Sequence, residues 1–457
     1  MDYLVDHLAI LMFVALAGML FSGFPVAMVI GGISLLFGLI GAAFGVFAPT
    51  EFFNFLPRMW GGAAENLVLI AAPLFIFMGV LLEKSGVAAD LLRCLQLLLR
   101  RVPGGLALGV ALMGTIMAAT TGIIGASIVM LCMLSLPVML QQGYDKGLAT
   151  GVIAASGTLG ILIPPSIMLV IMGDLMQIST GKLFLGAMLP GLMLAGLYLV
   201  YIVTVCWFKP KLAPPMPADD MSISTGRLVM MLVKGFVPPT VLIGLVLGSI
   251  FFGWATPTEA AAVGALGATV LALAYGRLSW RLVNESVRSS TLTIGMVFLV
   301  ILAATCFSYV FRSLGGDDVI HDFLNASGLG PWGLLSLLMF AVFLLGFFFD
   351  WLEIILIVLP IFAPVVTTLD FSAHVADKQE VLYWFAVLVA VNLQSSFLTP
   401  PFGFALFFIK GTAPPAVRMG HIYKGIVPFV GLQVVGILLV MAFPEIVLWL
   451  PRLLLDK

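Results

Sequence analysis

Charged residues are scarce in this chain. Asp, Glu, Lys and Arg make up 9% of its 457 residues, while 62% of the residues are hydrophobic. Soluble domains carry roughly 25% charged residues, so a water-soluble globular fold is excluded. With a mean hydropathy of +1.19, the composition is that of an integral membrane protein. The formal net charge is −1 and no block of Lys and Arg occurs, which excludes nucleic acid as a partner.

Cysteine, histidine and catalytic motifs are sparse as well. The four cysteines stand singly in apolar stretches without the spacing of metal ligands, which predicts ordinary buried thiols. The four histidines are unpaired in sequence, and no GxSxG, HExxH or Walker phosphate loop occurs. The sequence therefore indicates neither an enzyme nor an ATP-driven protein, and the energy source that remains for a transporter is an ion gradient.

Long uncharged stretches fill most of the chain. They cover residues 8–50, 66–82, 102–144, 147–173, 183–208, 235–258, 260–276, 289–311, 323–349, 381–409 and 425–444. A helix crosses a bilayer with about 20 residues, so the chain holds roughly ten crossings, and each stretch of over 40 residues holds two passes or a hairpin. The acidic start lacks a basic region and a cleavage site, which predicts a retained first helix.

Landmarks in the first half of the chain recur in the second half. The matching pairs are Pro25 and Pro257, Gly86 and Gly316, Pro137 and Pro360, and Pro164-Pro165 and Pro400-Pro401. They are separated by 232, 230, 223 and 236 positions, which is close to half the chain length. The common order of all four pairs predicts an internal duplication.

Lys and Arg clusters set the predicted orientation, because cytoplasmic loops are enriched in them. The clusters are Arg93, Arg100 and Arg101; Lys209, Lys211, Arg227 and Lys234; and Arg277, Arg281 and Arg288. Spans near 8–22, 24–47 and 64–83, and near 236–252, 257–276 and 290–312, bring all three clusters to the cytoplasm if the N-terminus is periplasmic. Equivalent loops of the two halves then face opposite sides. This predicts an all-α polytopic protein with an inverted repeat of about five crossings per half.

Two segments between spans have an amphipathic pattern. Residues 209–234 are first Pro-rich and then amphipathic, and residues 275–290 have a similar pattern. Helices that lie in the membrane interface have this pattern. Solvated connectors and lever-like arms are both compatible with it.

Each half also contains a polar interruption followed by a double proline. "MAATTGIIGASIVML" and "LLGFFFDWLEIILIVLP" predict two re-entrant hairpins whose tips meet near the bilayer midplane. Irregular backbone at that depth survives only where protein or a water-filled cavity covers it. The Pro-Pro pairs predict two broken helices, because proline has no N–H and disrupts the helical bonds beside it.

The hairpin tips and broken helices predict a cage of oxygen atoms. The candidate ligands are Thr121, Ser127, Gly160 and Ile163 in one half and Ser396 and Thr399 in the other. Oxygen ligands of this kind suit a hard monovalent cation such as Na⁺. Helix N-termini beside the cage carry partial positive charge, which suits a carboxylate. The alternative is that the prolines only kink helices for packing.

Several charged residues within or beside the apolar stretches are further candidates. Asp350 and Glu353 are expensive at membrane depth, which indicates a functional site unless they lie among lipid headgroups. Asp174 and Lys410 occupy matching ends of the two broken helices, where they contact an anionic substrate or extend to the membrane surface. Glu259 is predicted to cap a helix or to pair within the structure.

Four strings resemble signatures of one transporter family. They are "FPVAM" at 24–28, "GYDKGLATGVIAASGTLGILIPPSI" at 143–167, "GWATPTEAAAVGALGA" at 253–268 and "NLQSSFLTPPFGFALFF" at 392–408. They resemble the large membrane subunit of tripartite ATP-independent periplasmic (TRAP) transporters over essentially the whole chain. The resemblance implies Na⁺-coupled uptake of an organic anion, a carboxylate, by an elevator mechanism in a bacterial or archaeal inner membrane. It also implies a separate four-helix small membrane subunit and an extracytoplasmic solute-binding protein as partners, besides membrane lipid.

The resemblance also assigns residues. One sodium site would use Thr121, Ser127, Gly160, Ile163 and Pro165, and its symmetry mate would use Asp350, Ser396, Thr399 and Pro401. The candidate substrate-binding residues are Thr121, Gly122, Ser166, Asp350, Glu353, Asn392 and Ser395. The first hairpin reads "TTGIIGAS" where sialic-acid members have a Ser-Gly-Ser type, and Ser396 stands where many relatives have Gly. Both departures argue against sialic acid as the substrate.

These features predict a division of the chain into scaffold and moving parts. Residues 1–102 and 235–316 form the scaffold spans, residues 103–208 and 331–457 form the transport part, and residues 209–234 link the halves. The nearest rival is a stand-alone sodium-dicarboxylate symporter of the same broad fold, which would need no binding protein. A multi-pass membrane enzyme and a channel are rivals from other classes.

Overall fold

The computed structural model describes residues 7–121, 124–215, 225–400 and 403–455, which form helices and no strands. In chain order the α-helices are α1 (Leu8–Leu20), α2 (Val26–Ala43), α3 (Phe55–Met59), α4 (Ala71–Lys84), α5 (Val87–Leu98), α6 (Gly105–Thr121), α7 (Ile124–Gln141), α8 (Lys146–Thr158), α9 (Ile167–Leu175), α10 (Thr180–Phe208), α11 (Thr225–Gly235), α12 (Val237–Phe251), α13 (Pro257–Ala274), α14 (Trp280–Ser313), α15 (Gly316–Ser327), α16 (Pro331–Leu345), α17 (Trp351–Thr368), α18 (Lys378–Leu398), α19 (Phe404–Thr412), α20 (Met419–Ala442) and α21 (Glu445–Leu455). Short 3-10 helices cover Pro49–Asn54, Leu159–Ile161 and Pro210–Leu212, and a π-helical turn covers Trp60–Ala64.

The described helices confirm the multi-pass, all-helical fold predicted from composition. Nine of them, taken over the described residues, are long and apolar enough to cross a bilayer, and α1, α6 and α16 are shorter apolar helices. Apolar side chains on the outer faces of α2, α12 and α13 are exposed, as expected where lipid replaces water. The inverted orientation of the halves and the number of crossings in each stay predictions.

The same order of elements occurs twice. In the first half, α6 and α7 form a helical pair, α8 follows, and α9 comes after an interruption. In the second half, α16 and α17 form the pair, α18 follows, and α19 comes after an interruption. α9 and α19 are both nine residues long. The positions of the predicted hairpins and broken helices therefore agree with the observed elements.

We refer to α1–α5 and α11–α15 as the scaffold part and to α6–α10 and α16–α21 as the hairpin part. In the scaffold part, α4 packs against α13 and α14, and α2 packs against α14. Ala260, Ala261 and Ala268 on α13 are fully buried, and a Cβ at Gly264 would lie 2.6 Å from Met78 Sδ. Small residues let membrane helices approach closely, which is the physical role of the "TEAAAVGALGA" string.

The hairpin part is built around two buried helices, α8 and α18. α18 is buried continuously from Trp384 to Leu398. α8 packs against α20 at backbone distance, since a Cβ at Gly425 would lie 2.0 Å from the carbonyl oxygen of Gly147. Both helices lead directly into the interruptions. Residues 159–166 of the first interruption are buried, whereas at the second interruption Thr399 is partly exposed and Pro400 is exposed.

Two sequence-based expectations need correction in the scaffold part. The left-handed glycine before α15 is Gly315 (φ +79°), which corresponds to Gly86 (φ +77°) before α5, whereas the repeat pattern had paired Gly86 with Gly316. A left-handed residue favours glycine, so the backbone conformation decides the match. Residues 275–290 do not form a separate arm, because residues 280–290 continue without a break into the 34-residue α14.

The cap expected at Glu259 is confirmed. Thr256 precedes α13, and the carboxylate of Glu259 accepts hydrogen bonds from the backbone N–H of Thr256 at 2.8 Å and from its hydroxyl at 2.9 Å. The hydroxyl oxygen of Thr256 in turn accepts from the N–H of Glu259. This reciprocal arrangement is a capping box that fixes the start of α13.

Candidate functional site

The first interruption contains the double proline Pro164-Pro165, whose peptide bond is cis. The 3-10 turn Leu159–Ile161 extends α8, and α9 begins only at residue 167. In a continuous α-helix, the N–H groups at positions 164 and 165 would bond the carbonyls of Gly160 and Ile161. Proline has no such N–H, so the sequence removes both helical partners at a buried position.

Ser166 organises the far edge of this interruption. It is the N-cap of α9, where its hydroxyl oxygen accepts from the N–H of Leu169 at 3.5 Å. The same hydroxyl donates to the carbonyl of Ile161, one of the two carbonyls that the prolines leave without a helical partner. Ser166 is fully buried. It therefore stabilises the broken geometry in place of the missing backbone bonds.

Three hydroxyl residues lie at the second interruption, of which Ser395 and Ser396 are fully buried and Thr399 is partly buried. Ser395 donates to the carbonyl of Asn392 at 2.7 Å, Ser396 to that of Leu393 at 3.0 Å, and Thr399 to that of Ser395 at 2.6 Å. A hydroxyl that donates its hydrogen keeps lone pairs that can accept or coordinate. These oxygens are consequently suited to a cation that lies at the end of α18.

The tip of the second hairpin carries two acidic residues. Asp350 is the N-cap of α17, and its carboxylate accepts from the N–H of Trp351 at 2.8 Å. Glu353 is 6% exposed, and its Oε2 has no hydrogen-bond partner among the described residues. Glu353 lines a cavity of about 50 Å³ whose other walls are apolar residues of α1, α16 and α17 and the turn between the latter two. The two carboxyl groups therefore have different surroundings.

Packing connects each broken helix with both hairpins. α8 contacts α6 and α7 of its own half, while α9 beyond the break contacts α17 of the other half. In the same way, α18 contacts α16 and α17, while α19 contacts α7. A Cβ at Gly346 in the second hairpin tip would lie 2.1 Å from Ser396 Oγ, and a Cβ at Gly125 would lie 2.6 Å from Phe408 in α19. The hairpin tips and the helix breaks thus meet.

The predicted ligands are distributed over this region. Ser396 lies directly against the turn that leads to Asp350, and Asn392 donates to the carbonyl of Met339 in α16 at 2.6 Å. Ser127 is buried one residue before Ile128, which packs on α8, and Ile163 packs against Gly191 of α10. Gly122 and Pro401 lie outside the described residues, and of Thr121 the structure describes the backbone, which ends α6. The roles of all these residues in sodium or substrate binding stay predictions.

A larger cavity lies between the scaffold part and the hairpin part. Its volume is about 560 Å³, and both parts contribute to its walls. The scaffold part supplies Gly61, Gly62, Asn66, Leu69, Ile301, Thr305 and Arg312, and the hairpin part supplies residues of α9, α17 and α18 together with Met176 and Gln177. Beside this cavity the two parts are in direct contact, since α4 packs against α6 and α9, and α14 packs against α17.

Two hydrogen bonds cross this cavity. Asn66 Nδ2 donates to Asp174 Oδ2 at 2.7 Å, and Arg312 Nη2 donates to the carbonyl of Pro360 at 2.9 Å. The Pro360 carbonyl is open to such a donor because its helical partner would be the N–H of residue 364, which is also proline. The sequence pattern had used Pro360 only as a repeat landmark. The four-residue spacing of Pro360 and Pro364 was the signal for an accessible carbonyl.

The charged ends of the broken helices have different partners. Asp174 lines the larger cavity and bonds Asn66 of the scaffold part. Lys410 donates to the carbonyl of Val417 at 3.1 Å, within the hairpin part. The structure thus places Asp174, and not Lys410, at the cavity between the two parts.

Replacing Glu353 with leucine is expected to leave the melting temperature unchanged or to raise it. A buried carboxyl oxygen without a partner opposes folding, and an apolar side chain of similar volume fits the apolar walls. Asp350→Ala is the control, and it should lower the melting temperature because it removes a cap worth about 1 kcal/mol. An equal loss of stability in both variants, measured in detergent, would show that Glu353 has a stabilising partner.

Comparisons with known proteins agree with the signatures. The family model for the tripartite ATP-independent periplasmic transporter, DctM component, matches residues 13–446. The C4-dicarboxylate TRAP transporter large permease protein DctM of Pseudomonas aeruginosa is 29% identical over 393 residues, which are 85% of this chain and 87% of that protein. The sialic acid TRAP transporter large permease protein SiaM of Vibrio cholerae is 27% identical over 440 residues, which are 96% and 97% of the two chains.

One solved structure shares the fold. The YdaH transporter of Alcanivorax borkumensis superposes with a TM-score of 0.62 at 15% sequence identity, over 85% of this chain and 87% of that one. Identity at this level supports the similarity of the fold alone. Both relatives named above are permeases, in keeping with a multi-pass protein of the inner membrane.

Proposed function

This chain belongs to the DctM component family of tripartite ATP-independent periplasmic transporters, and from that premise we propose that it couples uptake of an organic anion to the entry of Na⁺. The anion is a carboxylate. It reaches the chain from an extracytoplasmic solute-binding protein, and a four-helix small membrane subunit completes the membrane complex. The names of two relatives, which refer to a C4-dicarboxylate and to sialic acid, support a carboxylate as the substrate class.

The observation that carries this proposal is the meeting of each helix break with a hairpin tip. Carbonyls without helical partners at the first break, and hydroxyls that donate to their own helix at the second break, present oxygen atoms beside the hairpin tips. In a membrane protein, such irregular backbone is costly unless a ligand or a cavity uses it. Na⁺ accepts oxygen ligands of this type, and the N-termini of α9 and α19 favour an adjacent carboxylate.

The division into two parts supports an elevator mechanism. The cavity of about 560 Å³ leaves the hairpin part in loose contact with the scaffold part on one side. Within the hairpin part, by contrast, α8 and α20 touch at backbone distance. Rigid-body movement of one domain about an interface is a common conformational change in proteins. We propose that the hairpin part carries the ions and the anion past the scaffold part.

The driving force is sufficient for strong accumulation. Two Na⁺ ions, each with a tenfold gradient, supply about 1.4 kcal/mol per ion. With a monoanion as substrate, the one net positive charge adds about 2.3 kcal/mol at 100 mV. The total of roughly 5 kcal/mol corresponds to accumulation of several thousandfold.

The test measures uptake by proteoliposomes that contain this chain and its small subunit, with the binding protein outside. The labelled substrate is a carboxylate that raises the melting temperature of that binding protein. We expect uptake that depends on Na⁺ with a Hill coefficient above one and that increases with an inside-negative potential. Undiminished uptake with choline in place of Na⁺ would overturn the sodium coupling. Full uptake without the binding protein would instead favour a stand-alone symporter.

A further inference from the structure

A second cavity with a different character lies between the amphipathic helices α5 and α11. Its volume is about 380 Å³, and its walls include Asp90, Arg93 and Cys94 of α5, Met230 and Lys234 of α11, and Tyr275 after α13. It belongs to the end of the scaffold part where the Lys and Arg clusters of the sequence lie. Nothing in the proposed transport cycle uses this cavity.

Side-chain contacts to the end of α11 hold the cavity in shape. The thiol of Cys94 donates to the carbonyl of Met231 at 3.1 Å, and the hydroxyl of Tyr275 donates to the carbonyl of Lys234. The last four carbonyls of a helix have no partner inside the helix, and the Lys234 carbonyl is one of them, so the Tyr275 hydroxyl stabilises the C-terminal end of α11. A Cβ at Gly235 would lie 2.9 Å from Cys94 Sγ, which requires a residue without a side chain there. The two helices are therefore docked closely and not merely adjacent.

The charges around the cavity are unbalanced. Asp90 pairs with Arg277 at 2.8 Å, and Arg277 also donates to the carbonyl of Ser85 at 2.9 Å. Arg277 thus neutralises the charge of the Asp90 carboxylate. Among the described residues, Arg93 and Lys234 have no carboxylate within salt-bridge distance, so both cations face the cavity region uncompensated. The local arrangement is suited to an anion.

Apolar side chains lie beside these cations and face outward. Leu98 of α5 is 50% exposed, and Val229, Met230 and Val233 of α11 are 52%, 55% and 50% exposed. A ligand that satisfies both features carries an anionic group and an apolar chain together. Phospholipids with a net negative charge have this composition, and basic pockets beside membrane helices bind their headgroups.

We propose that the cavity between α5 and α11 binds the headgroup phosphate of an anionic phospholipid, with Arg93 and Lys234 as its charged contacts. The acyl chains lie along the exposed apolar face of α5 and α11. Helix α5 leads through residues 99–104 into the first hairpin helix α6, and α11 continues into α12. The lipid consequently anchors α5 and α11 at a fixed depth in the bilayer interface.

The test compares retained lipid in purified variants. The full chain is extracted with its small subunit from membranes that contain phosphatidylglycerol, and bound lipid is counted by native mass spectrometry. We expect Arg93→Gln/Lys234→Gln to reduce the occupancy of phosphatidylglycerol at least tenfold. The control, Lys211→Gln/Arg288→Gln, makes the same change of net charge at exposed residues outside the cavity and should retain the lipid.

A second measurement identifies the source of the phosphate and checks the fold. Phosphatidylglycerol in nanodiscs should raise the melting temperature of the parent more than phosphatidylcholine does, and the double variant should lose this difference while melting like the parent in phosphatidylcholine. Equal lipid retention by parent and double variant would overturn the proposal. If inorganic phosphate alone raised the melting temperature as much as phosphatidylglycerol does, the ligand of the cavity would be a free anion and not a lipid. If the small subunit covered the cavity, the occupant would be a protein and not a lipid.

Discussion

Replacing Pro164 and Pro165 together with alanine is expected to abolish uptake without lowering the melting temperature. Alanine restores the two N–H groups that a continuous helix needs, and helix propensity favours alanine over proline by about 3 kcal/mol per interior position. The helix then closes through residues 162–166 and withdraws the carbonyls of Gly160 and Ile161. Because the Gly160 carbonyl is a proposed ligand, the stabilisation of the protein by added Na⁺ should disappear as well.

Pro137→Ala is the matched control for this experiment. Pro137 lies inside α7 and is exposed, so its replacement changes a helical proline without touching an interruption. Uptake and the Na⁺-dependent increase in melting temperature should survive in this variant. If the Pro164-Pro165 variant were less stable but still stabilised by Na⁺, the prolines would serve packing, and the ion-site interpretation of residues 157–174 would fail.

Cross-linking the two parts across the larger cavity is expected to stop uptake reversibly. Asn66 belongs to the scaffold part and Asp174 to the hairpin part, and their side chains are joined by a hydrogen bond of 2.7 Å. In the variant Asn66→Cys/Asp174→Cys, a short cleavable cross-linker with two thiol-reactive groups should reduce uptake to the background level. A covalent bridge prevents any sliding between the parts, whereas the natural hydrogen bond contributes only about 1 kcal/mol and breaks readily.

The control places the same cross-link inside one part. The N–H of Ser179 donates to the hydroxyl of Tyr383 at 3.0 Å, and both residues belong to the hairpin part near the same cavity. Cross-linked Ser179→Cys/Tyr383→Cys should therefore keep its uptake. Cleaving the linker should restore uptake in the first variant. Sustained uptake by the cross-linked Asn66→Cys/Asp174→Cys protein would exclude relative movement of the two parts.

The sequence predicted those features of the fold that depend on how a residue affects the backbone at or near its own position. Pro164, Pro165 and Pro400 remove N–H groups regardless of what surrounds them, so the positions of the interruptions follow from the amino-acid order alone. The capping box at Glu259 was predictable for the same reason, since its partner is three residues away. Long apolar stretches likewise determine that a helix must cross the membrane.

Contacts between distant residues were not predictable in this way. Asn66 and Asp174 are 108 positions apart, and Arg312 and Pro360 are 48 positions apart. A hydrogen bond of this kind depends on how the helices pack and on which side chains face each other, and neither is encoded in local spacing. The sequence could mark Asp174 as unusual, but it offered no means of choosing Asn66 as its partner.

Glu353 illustrates the same difference within one helix. Glu353 and Asp350 were grouped in the sequence analysis because both are charged residues within one apolar stretch. The structure places Asp350 at the helix cap and Glu353 against an apolar cavity facing α1. The direction in which a helix face points is a property of the packed molecule. A pattern of residues therefore identifies a charged side chain whose burial in the membrane costs free energy, but it does not identify the residues around that side chain.

The length of α14 makes the membrane itself part of the mechanism. At 1.5 Å per residue its 34 residues extend about 51 Å, and the uncharged stretch 289–311 alone extends roughly 35 Å. A hydrocarbon core of about 30 Å accommodates such a stretch when the helix tilts, when it kinks or when the bilayer thickens locally. One end is held by Lys84, which bonds Ser289, and the other carries Arg312 to the carbonyl of Pro360. If a thinner bilayer increases the tilt of α14, we expect Arg312 to move relative to Pro360, and the contact between the two parts then depends on the thickness of the bilayer.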